Sequence, residues 1–159
     1  MSLLRKLALA MVVPASGALV VAGAGTAHAA GNLYGAIAIW GYRVGVATDY
    51  PTQAAADEAA IKSCAGRGDT LEPWMSVACT IKARIHNECG AVIERDMRSL
   101  WGSAPLYYVG TGATAAEAEQ SARWAAGPDQ LGNPLLMVSG SSIPQAAFVL
   151  DTVCTSNAG

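Results

Sequence analysis

The chain has 159 residues, with ten Lys and Arg, twelve Asp and Glu, and 14% of its residues charged. It carries no basic block, so the electrostatic footprint of a nucleic-acid binder is excluded. Its length suits one domain with one core.

Arg5 and Lys6 open a positive stretch, and Leu7 to Val21 is apolar but broken by Pro14 and Gly17. Ala27-His28-Ala29 then supplies the small residues of a cleavage site. This predicts an export signal over 1–29, cut at Ala29-Ala30, and a single secreted domain over 30–159, outside the cell or at its envelope. An uncleaved anchor is the rival reading, but the run from Leu7 to Gly25 is rich in Gly and Ala and interrupted by Pro14. No Cys precedes Cys64 and there is no twin-arginine pair, which excludes a lipid-modified N-terminal Cys and twin-arginine export. Cleavage leaves eight bases against all twelve acids, a formal charge of −4. Nucleic acid is not expected as a partner. Nor is a membrane after cleavage, because no second apolar run reaches spanning length.

Tyr34 to Trp40 alternates small and β-branched residues, with Gly35, Ile37 and Ile39 on one face and Ala36 and Ala38 on the other. That predicts a strand, a turn at Gly41 and a second strand over Tyr42 to Tyr50. Pro51 ends it, Thr52 is a good N-cap, and the run to Cys64 is helical, with Asp57 and Glu58 in its first half. Ala56 and Ala60, four apart, give the helix a smooth face for close approach to a sheet. Cys79 to His86 has period two, placing Cys79, Ile81, Ala83 and Ile85 opposite Thr80, Lys82, Arg84 and His86.

The pattern then recurs. "NLYGAIAIWG" from Asn32 is answered by "NECGAVIERD" from Asn87, with a strand opening at Gly90. A longer middle, "RDMRSLWGSAP", precedes a second strand over Leu106 to Val109. Thr114 and Glu117 form a capping box for the next helix, and Ala118 and Ala122 stand where Ala56 and Ala60 did. After Gly127 to Gln145, a last strand runs to Cys154. The prediction is α+β: two β-β-α-β repeats, about 32–86 and 87–155, forming an antiparallel sheet with two helices packed on it.

All four cysteines, Cys64, Cys79, Cys89 and Cys154, lie in the exported part, which reads as two disulfides with three possible connectivities. Cys64 ends the first helix, while its counterpart is Ala126; Cys89 and Cys154 are placed at equivalent strand ends. Were Cys64 joined to Cys89, loss of its counterpart would orphan Cys154. Cys64–Cys79 and Cys89–Cys154 are therefore expected. A metal site is the alternative, but His86 is the one His left after cleavage and there is no CxxC. No metal or cofactor is expected.

"LYGAIAI", "DYPTQAAADEAAIKSC", "NECGAV" and "GTGATAAEAEQSA" together resemble a family of small secreted, mostly actinobacterial proteins known as domain of unknown function 4189. The resemblance implies secretion and a disulfide-bearing αβ domain, and brings no catalytic residues. The chain departs from it at Ala126, where the family often has Cys, and lacks a Cys before Ala147.

Candidate chemistry is sparse. There is no Gly-x-Ser-x-Gly, so a hydrolase would need His86 with a distant hydroxyl such as Ser141. Asp57-Glu58 and Glu117/Glu119 are placed in first helical turns, where acids favour the helix dipole. Gly110-Thr111-Gly112 precedes a capped helix but has no Lys for a phosphate. Arg67-Gly68-Asp69 is an adhesion tripeptide inside the expected Cys64–Cys79 loop, and Trp74 follows Pro73 there; these four are weak binding candidates. Trp40 and Trp124 read as core or rim residues, and Pro134 to Gly140 fits either an exposed anchor or a fold-back segment. No enzyme is expected. The function anticipated is binding of an unknown protein or envelope partner, with a small secreted hydrolase, or an inhibitor of one, as the alternative.

Overall fold

The computed structural model describes residues 31–66 and 78–158. The export signal, its cleavage site, Arg67-Gly68-Asp69 and Trp74 lie outside them. In chain order come β1 (Tyr34–Trp40), β2 (Arg43–Tyr50), α1 (Gln53–Ala65), β3 (Thr80–His86), β4 (Cys89–Ser99), β5 (Gly102–Gly112), α2 (Ala115–Ala126), a short α3 (Pro134–Val138) and β6 (Phe148–Cys154). Both helix starts follow from their caps. Thr52 Oγ1 accepts from Ala55 N at 3.2 Å, and the Thr114/Glu117 box is closed in both directions. Asp57 and Glu58 fall beyond the first turn of α1, which holds no acid. Asp57 pairs instead with Arg84 on β3 at 2.8 Å.

The β-β-α-β unit does occur twice. Its six strands divide between two three-stranded antiparallel sheets, β2-β1-β3 and β5-β4-β6, rather than sharing one. In each unit the outer strands run parallel with the central strand between them, so the link joining them must cross a sheet face, and the helix is that crossing. A single sheet carrying two helices would leave one face wet. β1 is apolar on both faces: Ala36 and Ala38 lie under α1, while Ile37 and Ile39 meet Ile85 and Val92 in a second core between the sheets. Ala91 and Ile93 of β4 face Ala118 and Ala122 of α2. Burying both faces of both central strands yields four layers, helix, sheet, sheet, helix. The chain changes sheet at Asn87-Glu88, where Asn87 takes φ 54°. The repeated asparagines meet there: Asn87 Nδ2 donates to Asn32 Oδ1 at 3.1 Å, and its Oδ1 accepts from Leu33 N at 2.8 Å.

The alanine stripes act as expected, and glycines complete them. A Cβ on Gly45 would stand 2.3 Å from the Ala60 carbonyl oxygen, and one on Gly110 2.2 Å from Ala122 N. Helix backbone lies directly on strand backbone at both places, so Gly110-Thr111-Gly112 is a helix-packing surface.

Three boundaries differ from expectation. Cys89 opens β4 rather than ending a strand of the first unit. β3 keeps its period, but a bulge separates Ala38↔Ile81 from Ile37↔Ala83, leaving Lys82 without a cross-strand partner. The bulge puts Ile81 beside α1, and Ala83 and Ile85 in the inter-sheet core. The long middle of the second unit is hairpin: β4 runs on to Ser99 and pairs in unbroken register with β5 as far as Ser99↔Gly102.

Both disulfides are those expected. Cys64–Cys79 ties the last turn of α1 to the residue before β3, with Cα atoms 6.2 Å apart. Cys89–Cys154 joins directly paired residues of β4 and β6, 3.9 Å apart. Where Ala126 replaces a helix-end cysteine, Arg95 of β4 takes over. It is 3% exposed, and its guanidinium donates to the carbonyls of Ala126 (2.9 Å) and Gly127 (3.0 Å) and to Asp129 Oδ1 (3.1 Å). Arg43 does a smaller version of this for α1, donating to the Ala65 carbonyl at 2.8 Å.

Candidate binding surface

His86 is exposed at the end of β3 and stacks on Tyr34, ring centroids 4.8 Å apart. Ser141 adjoins Ser142, which bridges to Arg98 near the far end of β4. The nine-residue rise from Cys89 to Arg98 separates the two by on the order of 30 Å. That Ser–His pair is not assembled. Among the described residues no group of three His, Cys, Asp or Glu is placed to hold a metal. Glu119 accepts from Thr152 Oγ1 at 3.0 Å, a contact between α2 and β6.

Two features stand out beyond these. The first is a cleft of about 450 Å³ where the two sheets part, lined by residues including Trp40, Thr80, Lys82, Leu106 and Tyr107. The bulge in β3 is what turns Lys82 toward it. Behind Tyr107, directly across the ladder, is Glu94, with Asp96 two residues on along the same face of β4. Partial burial, and then the negative charge of Asp96, hold the Glu94 carboxyl above its ordinary range. Burial first, then Glu94, Asp96 and Tyr42, raise the Tyr107 hydroxyl likewise. The folded chain thus binds the Glu94 proton more tightly than the unfolded chain does. That advantage is present at low pH and is lost as pH rises through the unfolded and then the folded value. Glu94→Gln is accordingly expected to raise the melting temperature at pH 7 and to leave it unchanged near pH 3, below the ordinary Glu range of about 4.3. Equal shifts at both pH values, in matched thermal melts, would remove the electrostatic cause.

The second feature is an apolar projection. By the repeat, Arg95 stands where Trp40 does, and the β4–β5 hairpin continues for four more residues in β4 before a two-residue turn, Leu100-Trp101, with the Tyr42 hydroxyl of the β1–β2 turn donating to the Ser103 carbonyl at 2.9 Å. Leu100 is 81% exposed and Trp101 96%. The chain from α3 returns beside it: Arg98 and Ser142 exchange backbone hydrogen bonds at 2.8 Å, and Gly140 lies against the Leu100 side chain. Asn133 caps α3, with its Oδ1 accepting from Leu135 N at 2.9 Å. Leu135, Met137 and Val138 are nevertheless exposed, so Pro134 to Gly140 resolves as an outward-facing segment.

Trp40 is 46% exposed at the cleft rim, and Trp124 is 78% exposed on the outer side of α2 rather than in the core. The period of α2 put Trp124 there: its inward stripe is Ala118 and Ala122. Leu100 and Trp101 were missed as site residues. The signal for them was the surplus of "RDMRSLWGSAP" over the first unit, since an added apolar pair at a hairpin tip has no core to enter.

Neither a curated protein nor a solved structure matches the chain. A family profile does, over residues 34–128, from the start of β1 to just past the end of α2, and leaves α3 and β6 beyond its limit. That span is more than half of the chain, and the protein belongs to the family described as domain of unknown function (DUF4189).

Proposed function

We propose that this protein is a non-enzymatic binding module of the cell envelope or the space outside it, and that it engages its partner through the Leu100-Trp101 projection. What supports this is the exposure of that tip on a frame held by two disulfides. Single exposed hydrophobic side chains are ordinary, whereas a contiguous apolar patch marks an interaction surface. Both disulfides suit an oxidising compartment, and no helix among the described residues is long and apolar enough to cross a membrane.

The test is recovery of the expressed protein separately from medium and envelope, with intact masses taken without reductant. The expected product begins at Ala30, lacks four hydrogens relative to its reduced form, and is retained at the envelope. Trp101→Ser together with Leu100→Ser should release it to the medium. Retention unchanged by the pair, or a product still carrying Met1, overturns the proposal.

A small hydrolase, or an inhibitor of one, is a second reading, supported by the Glu94/Asp96 pair behind the cleft. A carboxyl shifted above its ordinary range is shifted in the direction a general acid needs. Turnover of generic ester, glycoside or peptide substrates that Glu94→Gln abolishes would support it, and absence of turnover would end it.

A further inference from the structure

We infer that the partner of the projection is a lipid surface, and that the hairpin tip and α3 enter it as a peripheral wedge. This rests on the binding function proposed above and names its partner.

The charge pattern supports it. The chain is acidic overall, yet the tip over residues 97–103 and the segment returning beside it over 131–142 contain no carboxylate; Asp96 lies at the root, accepting from Gln145 Nε2 at 3.1 Å. Their one charged residue is Arg98. Arg98 is exposed at the root of the hairpin and forms no ion pair among the described residues. An apolar tip whose outermost residues carry no acid, with Arg98 at its base, complements acyl chains beneath a layer of phosphates. Protein-binding patches, by contrast, are ringed by a polar rim.

Shape agrees with charge. The Tyr42 hydroxyl of the β1–β2 turn reaches the Ser103 carbonyl at 2.9 Å, so the part of the hairpin that stands clear is Ser99 to Gly102, about 7 Å long. Interfacial segments bury their apolar face to a depth of roughly 5–10 Å. The tip can therefore reach the acyl boundary while the paired sheets stay in water. Trp101 stands at the extremity, and indole, apolar with one N–H donor, prefers that boundary. The absence of a second spanning run, from which no membrane contact was expected, does not bear on this, because a wedge needs no span. A single small wedge also binds reversibly, as one acyl chain does with a partition constant on the order of 10⁴ M⁻¹.

The experiment is flotation of the exported protein with phosphatidylcholine vesicles, with and without phosphatidylglycerol, alongside tryptophan emission. Binding to both is expected, tighter with phosphatidylglycerol, with a blue shift and quenching by lipids brominated on their acyl chains. Trp101→Ser, at a site too exposed to disturb folding, should weaken partition roughly tenfold or more. Arg98→Gln should remove the preference for phosphatidylglycerol and leave binding to phosphatidylcholine. No vesicle binding by the native chain, or binding indifferent to Trp101, overturns the inference. Trp101-dependent envelope retention without vesicle binding would identify a protein partner. A Trp101-dependent dimer in sedimentation would identify a second copy. Either outcome defeats the lipid wedge while leaving the binding function standing.

Discussion

Breaking the Cys89–Cys154 bridge is expected to lower stability by about 4 kcal/mol on the chain-entropy model, because the bridge closes a loop of sequence separation 65. Breaking Cys64–Cys79, with a separation of 15, should cost about 3 kcal/mol by the same reasoning. Against a total of roughly 5–15 kcal/mol, the first loss approaches the whole stability of a marginal domain. The two ends of the long bridge are not equivalent. Cys89 is 2% exposed, in the core beneath α2, whereas Cys154 is exposed at the end of β6. Cys89→Ser therefore adds a buried hydroxyl to the loss of the bridge and should be the worse single change. Cys89→Ala with Cys154→Ala separates the crosslink from the hydroxyl and from stray thiol chemistry. Denaturant titrations of the three variants would check the order. A Cys154→Ser protein as stable as the native one would show that the bridge carries no such constraint.

Arg95→Ala is expected to cost about 2–3 kcal/mol, approaching the shorter disulfide. The guanidinium occupies a buried site over the Tyr108 ring, 5.5 Å from its centroid, and ends three acceptors at once. Two of these are carbonyls at the C-terminus of α2, which the helix itself cannot satisfy. The third, Asp129, also accepts from Ala147 N at 3.0 Å, so the same knot holds the approach to β6. Removing the side chain leaves a cavity and unpartnered acceptors together. Arg95→Lys should not restore the loss, since an ammonium cannot span three acceptors in the plane of a fork. Arg95 Nε has no hydrogen-bond partner among the described residues. Hydrogen exchange would localise the effect, with amides of α2 and β6 losing protection before those of α1. A loss below about 1 kcal/mol would mean that water satisfies the helix end as well as Arg95 does.

The Arg95 site also explains how the second unit lives without the cysteine that the first unit places at its helix end. One unit uses a covalent bond, the other a buried guanidinium. The Arg43 contact in the first unit shows the polar solution in a lesser form beside the covalent one.

Much of the architecture is written in local patterns. The strand and helix order, the Thr52 and Thr114 caps, the alanine stripes and the repeat are consequences of periodicity and capping chemistry, which neighbouring residues alone decide. The disulfide pairing came out as expected, although the equivalence of Cys89 and Cys154 from which it was argued does not hold, since Cys89 opens β4 and Cys154 ends β6. The residue types at positions 97–106 showed that something had been added to the second unit.

What only the tertiary structure decided has one physical cause: strand patterns say which faces are apolar, not what covers them. Ile37 and Ala38 both read as buried, so one sheet under two helices and two sheets face to face fit the same letters. Burial of both faces selected the second. The bulge at Lys82 shifts a register by one residue, which no period of two reveals, and so moved Ile81 from one core to the other. Nothing in the local pattern marks Arg95 as buried; that follows only once the end of α2 is brought over it. Leu100 and Trp101 have no assignable place in the sequence until the hairpin sets them at its tip, outside the layers.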